Sequence, residues 1–416
     1  MKRFYKKGIS LFLILLMSFP LCACKSDDSK ALTTVKLNEV AHSIFYAPMY
    51  VAIEKGYFED EGIELSLTTG FGADKTMAAV VSGDADVGFM GTEASIYAYT
   101  EGAKDHVINF AQLTQRAGNF VVARENTESF SYEDMIGKDV LGGRAGGTPE
   151  MVYEYVLREN GVSPSEVKID QSIDFGSTAA AFSGGQGDYT IEFEPSATAL
   201  EQSGDGYVVA SIGVDSGYLP YTAFCAKESY LKENADLIQH FTNALQKGMD
   251  YVAGHSPEEI ATVIVPQFSE TDLKTLTLIV SRYYDQETWN TDLILREEGY
   301  DLMLTILEES GVLSGAAPYE DLVNTDFAEK ASTLQLKVSE IKSLLNKECA
   351  LAHSRACGGR LRHLPYTPQC ASSRSVFNFT GKQFPVKLKS TEYIVNNITI
   401  HAVLLSLKYP FYIPLC

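Results

Sequence analysis

Between Thr33 and Leu345 the chain repeats one pattern: a short run of β-branched and apolar residues, a glycine-bearing or polar loop, then a stretch whose apolar positions recur every three or four residues. The runs suit strands, the stretches suit amphipathic helices, and their alternation predicts parallel strands joined by crossover helices. A first set of strands is expected at Thr34–Val40, Ile63–Thr68 and Ala85–Met90, with one helix opened by Pro48 and stopped by Gly56 and another at Thr76–Ser82. A second set is expected after Phe120–Arg124, with strands at Asp139–Leu141, Lys168–Gln171 and Tyr189–Phe193, a helix from about Pro149 to Asn160 and a return strand at Tyr221–Cys225. After Tyr230 the pattern turns helical, over Asn234–Ala253, Pro257–Ile264, Glu270–Tyr284 and Asp292–Ser310. A body of about 310 residues is large for one core, so two lobes are expected.

Open α/β sheets bind ligands outside the carboxyl ends of their strands, where each loop also precedes a helix N-terminus with free N–H groups. In the first set, His42, Ser43, Phe45 and Tyr46 offer hydrogen bonds and an aromatic wall, although His42 taken alone reads equally well as a surface or cap residue. Gly70, Phe71, Gly72 and Ala73 permit close backbone approach. Gly91, Thr92 and Glu93 follow the third strand, where Glu93 is either a ligand contact or an ordinary first-turn acid. In the second set, the glycine-rich turn from Gly142 to Thr148 presents Arg144 as a fork for an anion, with Gly147 and Thr148 at the helix start. The plain alternative is a tight turn with Arg144 at the surface. This turn does not fit the nucleotide-binding G-x-x-x-x-G-K-[ST] pattern. Phe175, Gly176, Ser177 and Thr178 open the next helix, and Glu194 either touches a ligand or pairs with Arg144. Trp289, the single tryptophan, stands near Tyr283 and Tyr284 and fits packing between late helices.

The N-terminus changes the picture of location. Lys2, Arg3, Lys6 and Lys7 precede an apolar run from Ile9 to Phe19, too short to span a bilayer by the roughly 20-residue criterion. It reads as a secretory signal. The run ends at Leu21-Cys-Ala-Cys24, so residues 1–24 are expected to be a lipoprotein signal with Cys24 the lipidated residue; a plain secretory signal is the alternative. Residues 25–32 suit a flexible tether. From Lys347 onward there are nine Lys or Arg against two Glu, which leaves 25 basic and 52 acidic of the chain's 34 and 54 for the part before it. So acidic a body argues against nucleic acid as a partner. Cys349, Cys357, Cys370 and Cys416 also fall in this tail, and residues 347–416 read either as a segment foreign to the domain or as a small accessory module.

Three stretches carry a family resemblance: Tyr46-Ala-Pro-Met-Tyr-Val-Ala-Ile-Glu-Lys-Gly-Tyr-Phe58, Glu61-Gly-Ile-Glu-Leu65 and Gly83-Asp-Ala-Asp-Val-Gly-Phe-Met-Gly91. With the later Pro220-Tyr221-Thr222 strand, they resemble the nitrate, sulfonate, taurine and thiamine-pyrimidine-precursor group of ABC-transporter solute-binding proteins over about residues 33–330. The resemblance implies a two-lobed periplasmic-binding-protein fold of type II, each lobe a mostly parallel sheet flanked by helices. Lobe 1 would comprise 33–124 plus 224–345 and lobe 2 would comprise 125–223. It also implies an extracytoplasmic protein that captures a small solute between the lobes by hinge closure and delivers it to an ABC permease with its ATPase, anchored to the membrane by lipid. The pyrimidine-precursor branch carries an Asn- and His-rich first loop that this chain lacks.

No cofactor or metal is called for: the body has no H-E-x-x-H, no G-x-S-x-G and no Cys or His cluster. Two other readings stay open, an enzyme on the same scaffold related to pyrimidine-precursor synthesis and a surface receptor that senses the solute.

Overall fold

Strand β1 (Thr33–Glu39) turns Val35, Leu37 and Glu39 inward, the period of two that a half-buried strand requires. It pairs in parallel with β2 (Ile63–Thr69) and β3 (Val87–Met90). Strands β4 (Val107–Thr114) and β10 (Thr222–Lys227) complete a five-stranded sheet in the order β2-β1-β3-β10-β4, with β10 antiparallel to both neighbours. The second sheet contains β5 (Asn119–Ala123), β6 (Asp139–Leu141), β7 (Lys168–Asp170), β8 (Tyr189–Phe193) and β9 (Tyr207–Ser211), ordered β7-β6-β8-β5-β9. Here β5 is the antiparallel strand. The computed structural model describes residues 31–335 apart from 128, 143, 144, 174 and 314.

Each sheet is thus mostly parallel and flanked by helices, the two-lobed α/β fold that the sequence leads one to expect. One boundary is corrected. The strand near Phe120 was expected in the first lobe, but β5 pairs with β8 and β9, so the second sheet begins at Asn119 and the chain re-enters the first sheet at Thr222. The signal segment with Cys24, the tether before residue 31 and the tail 347–416 lie outside the described residues. Among the described residues no helix is long and apolar enough to cross a membrane.

Two segments cross between the sheets side by side. Leu219 N–H donates to Gln115 O at 3.0 Å, Tyr221 N–H to Thr114 O at 3.2 Å, and the Thr114 and Thr222 hydroxyls meet at 2.5 Å. Packing fixes the late helices around this crossing. Helix Ala235–Gly254 lies against helix Ala47–Glu54 closely enough that a Cβ on Gly248 would stand 2.2 Å from Pro48 O. In the core of the first lobe, the Phe89 and Phe224 rings stack at 4.3 Å.

Candidate functional site

At the end of β1 the inward phase delivers not an apolar residue but Glu39, fully buried. Burial of a carboxylate is tolerated when hydrogen bonds satisfy it. Here Tyr50 Oη donates to Glu39 Oε2 at 2.6 Å, Thr69 Oγ1 to Oε1 at 2.9 Å, and His42 Nδ1 lies 3.0 Å from Oε1. His42 Nε2 sits 2.9 Å from Gln267 O, so both ring nitrogens face acceptors, an arrangement that suits the doubly protonated ring. The Glu39 bond accordingly raises the His42 pKa. His42 therefore ties the end of β1 to the late helices. Ser43 caps the turn that follows, accepting from Phe45 N–H at 3.3 Å.

That turn places two aromatic rings with different tasks. Phe45, 1% exposed, packs against Phe193, Tyr221 and Tyr283, a lobe-to-lobe contact at the crossing, and a Cβ on Gly118 would stand 2.8 Å from its ring. Phe45 thus packs between the lobes. Tyr46 packs edge-on against Phe89, and burial together with the Glu39 and Glu93 charges raises its hydroxyl pKa. Trp289 donates to Phe45 O at 2.9 Å and so holds the turn from behind, in keeping with the packing role expected of it.

Glu93 lies in the first turn of helix Glu93–Thr100 and is 7% exposed. Thr92 Oγ1 donates to Pro220 O at 2.6 Å and pins this helix start to the crossing segment. Gly91 leaves room for it, because a Cβ there would lie 2.0 Å from the folded-back carboxyl end. Across the cleft stands Thr148, at the start of helix Thr148–Glu159 in the second lobe. Its hydroxyl is near enough to favour ionised Glu93, against the stronger upward push of burial on that carboxyl's pKa. The two groups do not meet in hydrogen-bonding alignment, so Glu93 Oε2 and Thr148 Oγ1 both remain buried without a partner. Tyr221 Oη and Asn119 Oδ1, at the two crossings, are buried and unpartnered as well. Asn119 Nδ2 donates to Pro149 O at 3.3 Å, one residue from Thr148, and after burial the Tyr46 and Glu93 charges help raise the Tyr221 hydroxyl pKa. Buried polar atoms are rarely left unsatisfied, so this group from both lobes is the candidate for ligand contact.

Other residues expected at the site lie apart from these groups. Gly72 starts helix Ala73–Ser82, beside a Phe71 that is 77% exposed at a φ of 56°. Gly176 and Ser177 are exposed in the first turn of helix Phe175–Ser183. Gly147 caps the Thr148 helix; Arg144 and the side chain of Phe175 lie outside the described residues. Glu194 has its observed contacts in the second lobe and with a late helix. It caps Thr198 N–H at 2.9 Å and pairs with Arg282, which also holds Glu201. Sequence reasoning missed Asn119, Tyr221 and Glu39. The first two sit on the crossing segments, a position that only sheet order reveals, and Glu39 shows as a lone charge in the inward phase of β1.

The family model described as NMT1/THI5 like matches residues 44–260. A Bacillus subtilis protein named "Putative binding protein YtlA" is 43% identical over 334 residues, 80% of this chain and 99% of that protein. A Candida albicans protein named 4-amino-5-hydroxymethyl-2-methylpyrimidine phosphate synthase is 24% identical over 76% of this chain and 94% of its own length. In fold, the chain matches the periplasmic aliphatic sulphonate binding protein SsuA from Escherichia coli with a TM-score of 0.58 at 16% identity, over 69% of this chain and 96% of that one. With the family model matching residues 44–260, more than half of the chain, the chain belongs to the NMT1/THI5-like family.

Proposed function

We propose that this protein is the solute receptor of an ABC importer, exported and held at the outer face of the membrane through lipidated Cys24, which closes around a small molecule and presents it to the permease. The observation that carries this reading is the set of buried, unpartnered polar atoms contributed by the first lobe, the second lobe and the crossing between them. A ligand touching all three stabilises only the closed arrangement, which is the free-energy difference that hinge closure needs. The relatives named as binding proteins support it. The enzyme reading has one support, the synthase named among the relatives at 24% identity.

The test is native mass spectrometry of the full chain purified gently from its native cells, with the mass of the N-terminus read in the same experiment. A small molecule that co-purifies unchanged, raises the melting temperature on re-addition and enters cells only when this gene is intact supports the reading. Conversion of that molecule into a product by the purified protein would replace it with the enzyme reading. A chain that binds no small molecule overturns both.

A further inference from the structure

We propose that helix Thr148–Glu159 is a closing seam: one stripe of it locks the second lobe onto the first-lobe helices Glu93–Thr100 and Glu297–Glu309, with Arg158 and Glu309 as its latch. The inference rests on the solute-receptor reading and adds the surface on which closure is held. Thr148, Met151, Tyr155 and Arg158 follow at intervals of three, four and three residues, so they share one face of the helix. The first lobe meets that face along its length. Thr148 stands beside Glu93. Tyr97, one turn on from Glu93, donates from Oη to Met151 Sδ at 3.7 Å. Burial, then the Glu159 and Glu309 charges, raise the Tyr155 hydroxyl pKa, and Arg158 Nε lies 3.9 Å from Glu309 Oε2.

The seam is buried but incompletely joined. At its cleft end Glu93 Oε2 and Thr148 Oγ1 are each buried without a partner, and at its far end Arg158 Nη1 and Ser310 Oγ, next to Glu309, are in the same state. Arg158 is otherwise held within its own helix, its Nη2 donating to Glu154 Oε2 at 3.1 Å. At 3.9 Å the Glu309 contact is an ion pair beyond hydrogen-bonding distance. Leaving a guanidinium N–H buried and unpaired costs free energy, which a short approach of the two helices recovers. The unsatisfied groups belong to both lobes and lie at both ends of one helix face, so tighter closure acts on the two ends together. Thr148 and Arg158 are ten residues apart, about 15 Å of helix, so the latch can be altered without touching the cleft.

The test needs no solute, so it fails separately from the receptor reading. The full chain carries spin labels at Lys75→Cys and Ser177→Cys, with every other cysteine except buried Cys225 changed to serine, and the distance between the labels is read with no compound added. We expect a short-distance population that Glu309→Gln and Arg158→Gln each lower about 2- to 5-fold, the worth of a half-exposed ion pair, while the double variant loses no more than either. Glu309→Arg should lower it further, and salt at about 1 M should lower it in the native chain but not in the variants. Glu154→Gln removes only the pair inside the helix and should leave that population in place, which separates the latch from plain helix stability. The inference is overturned if the native chain shows no short-distance population, or if Glu309→Gln and Glu309→Arg leave it unmoved. It is overturned as well if the two single effects simply add, or if Glu154→Gln empties the population as fully as they do. A solute that binds a chain in which these variants change nothing leaves the receptor reading standing and refutes the seam alone.

Discussion

Glu192 on β8 is 1% exposed, with Thr190 Oγ1 donating to its Oε1 at 2.7 Å, and burial pushes its pKa up to about 7. Because the folded state holds this proton more tightly than the unfolded chain, the contribution is favourable below the ordinary carboxylate range. It is lost as pH rises to about 7, by roughly 3 kcal/mol at most. Glu150, pushed up to about 7 by burial and by the neighbouring Glu154, adds a slope of the same sign. His42 does too, since a raised histidine stabilises below its ordinary pKa and loses that contribution as pH climbs. The ligand-free protein should therefore melt higher at pH 5.5 than at pH 7.5. Glu192→Gln should flatten part of that slope and raise the midpoint at pH 7.5, as scanning calorimetry would show; an unchanged slope would mean that Glu192 is ionised and satisfied at neutral pH. None of these shifts is legible in the sequence. A glutamate on a strand reads as a surface charge until the sheet shows which face it lies on.

Among the elements, the helix Ala47–Glu54 does most to place the site, because it follows directly on the turn that carries Phe45 and Tyr46. Its seat is the Gly248 contact, where a Cβ would meet Pro48 O at 2.2 Å and Ala52 Cβ at 3.2 Å. Backbone cannot yield as a side-chain tip can. Gly248→Val should thus cost about 2–3 kcal/mol and weaken ligand binding at a distance from the cleft. A denaturant midpoint equal to the native one would show that the helices separate freely. This element was legible: Pro48 and Gly56 bracket it, and Asp139–Leu141, Tyr189–Phe193 and Pro257–Ile264 fall where periodicity puts them. Strands β4 and β9 were not identified. β4 (VINFAQLT) is buried at six of its eight positions, so it shows little alternation, and β9 (YVVAS) is five residues long. The assignment of β5 to the wrong lobe has the same origin, since its five residues are all buried and carry no face preference.

Across the whole molecule the lobes are joined by more than the two crossings. Arg282, on helix Leu273–Asp285 behind the first lobe, holds Glu194 and Glu201 of the second and lies over the Phe120 ring at 5.5 Å. Glu194 is 3% exposed, and removing its partner leaves a buried charge. Arg282→Leu should cost about 3 kcal/mol or more, and Glu194→Gln in the same chain should restore part of it. If urea unfolding finds the single variant as stable as the native chain, the pair is a bystander. The two-lobe plan was readable because strand, loop and helix alternate along the chain, whereas the polar centre of the site was only partly so. Glu93, Thr92, Thr148 and Tyr46 sit on strand-end loops that topology rules single out, but Asn119 and Tyr221 join them only because the chain crosses twice at one place. Arg282 and Glu194, 88 residues apart, have no signal in sequence at all.

Closure around a solute is the central claim, and the distance across the cleft measures it. In a chain whose Cys22, Cys24, Cys349, Cys357, Cys370 and Cys416 are replaced by serine, spin labels on Lys75→Cys of the first lobe and Ser177→Cys of the second, both exposed positions, leave the buried thiol of Cys225 unlabelled. Pulsed dipolar spectroscopy should give a broad, longer distance distribution without solute and a narrow, shorter one with the co-purified compound, a change lost in Glu93→Gln. One distribution, unmoved by a compound that demonstrably binds, would contradict capture by closure of the two lobes.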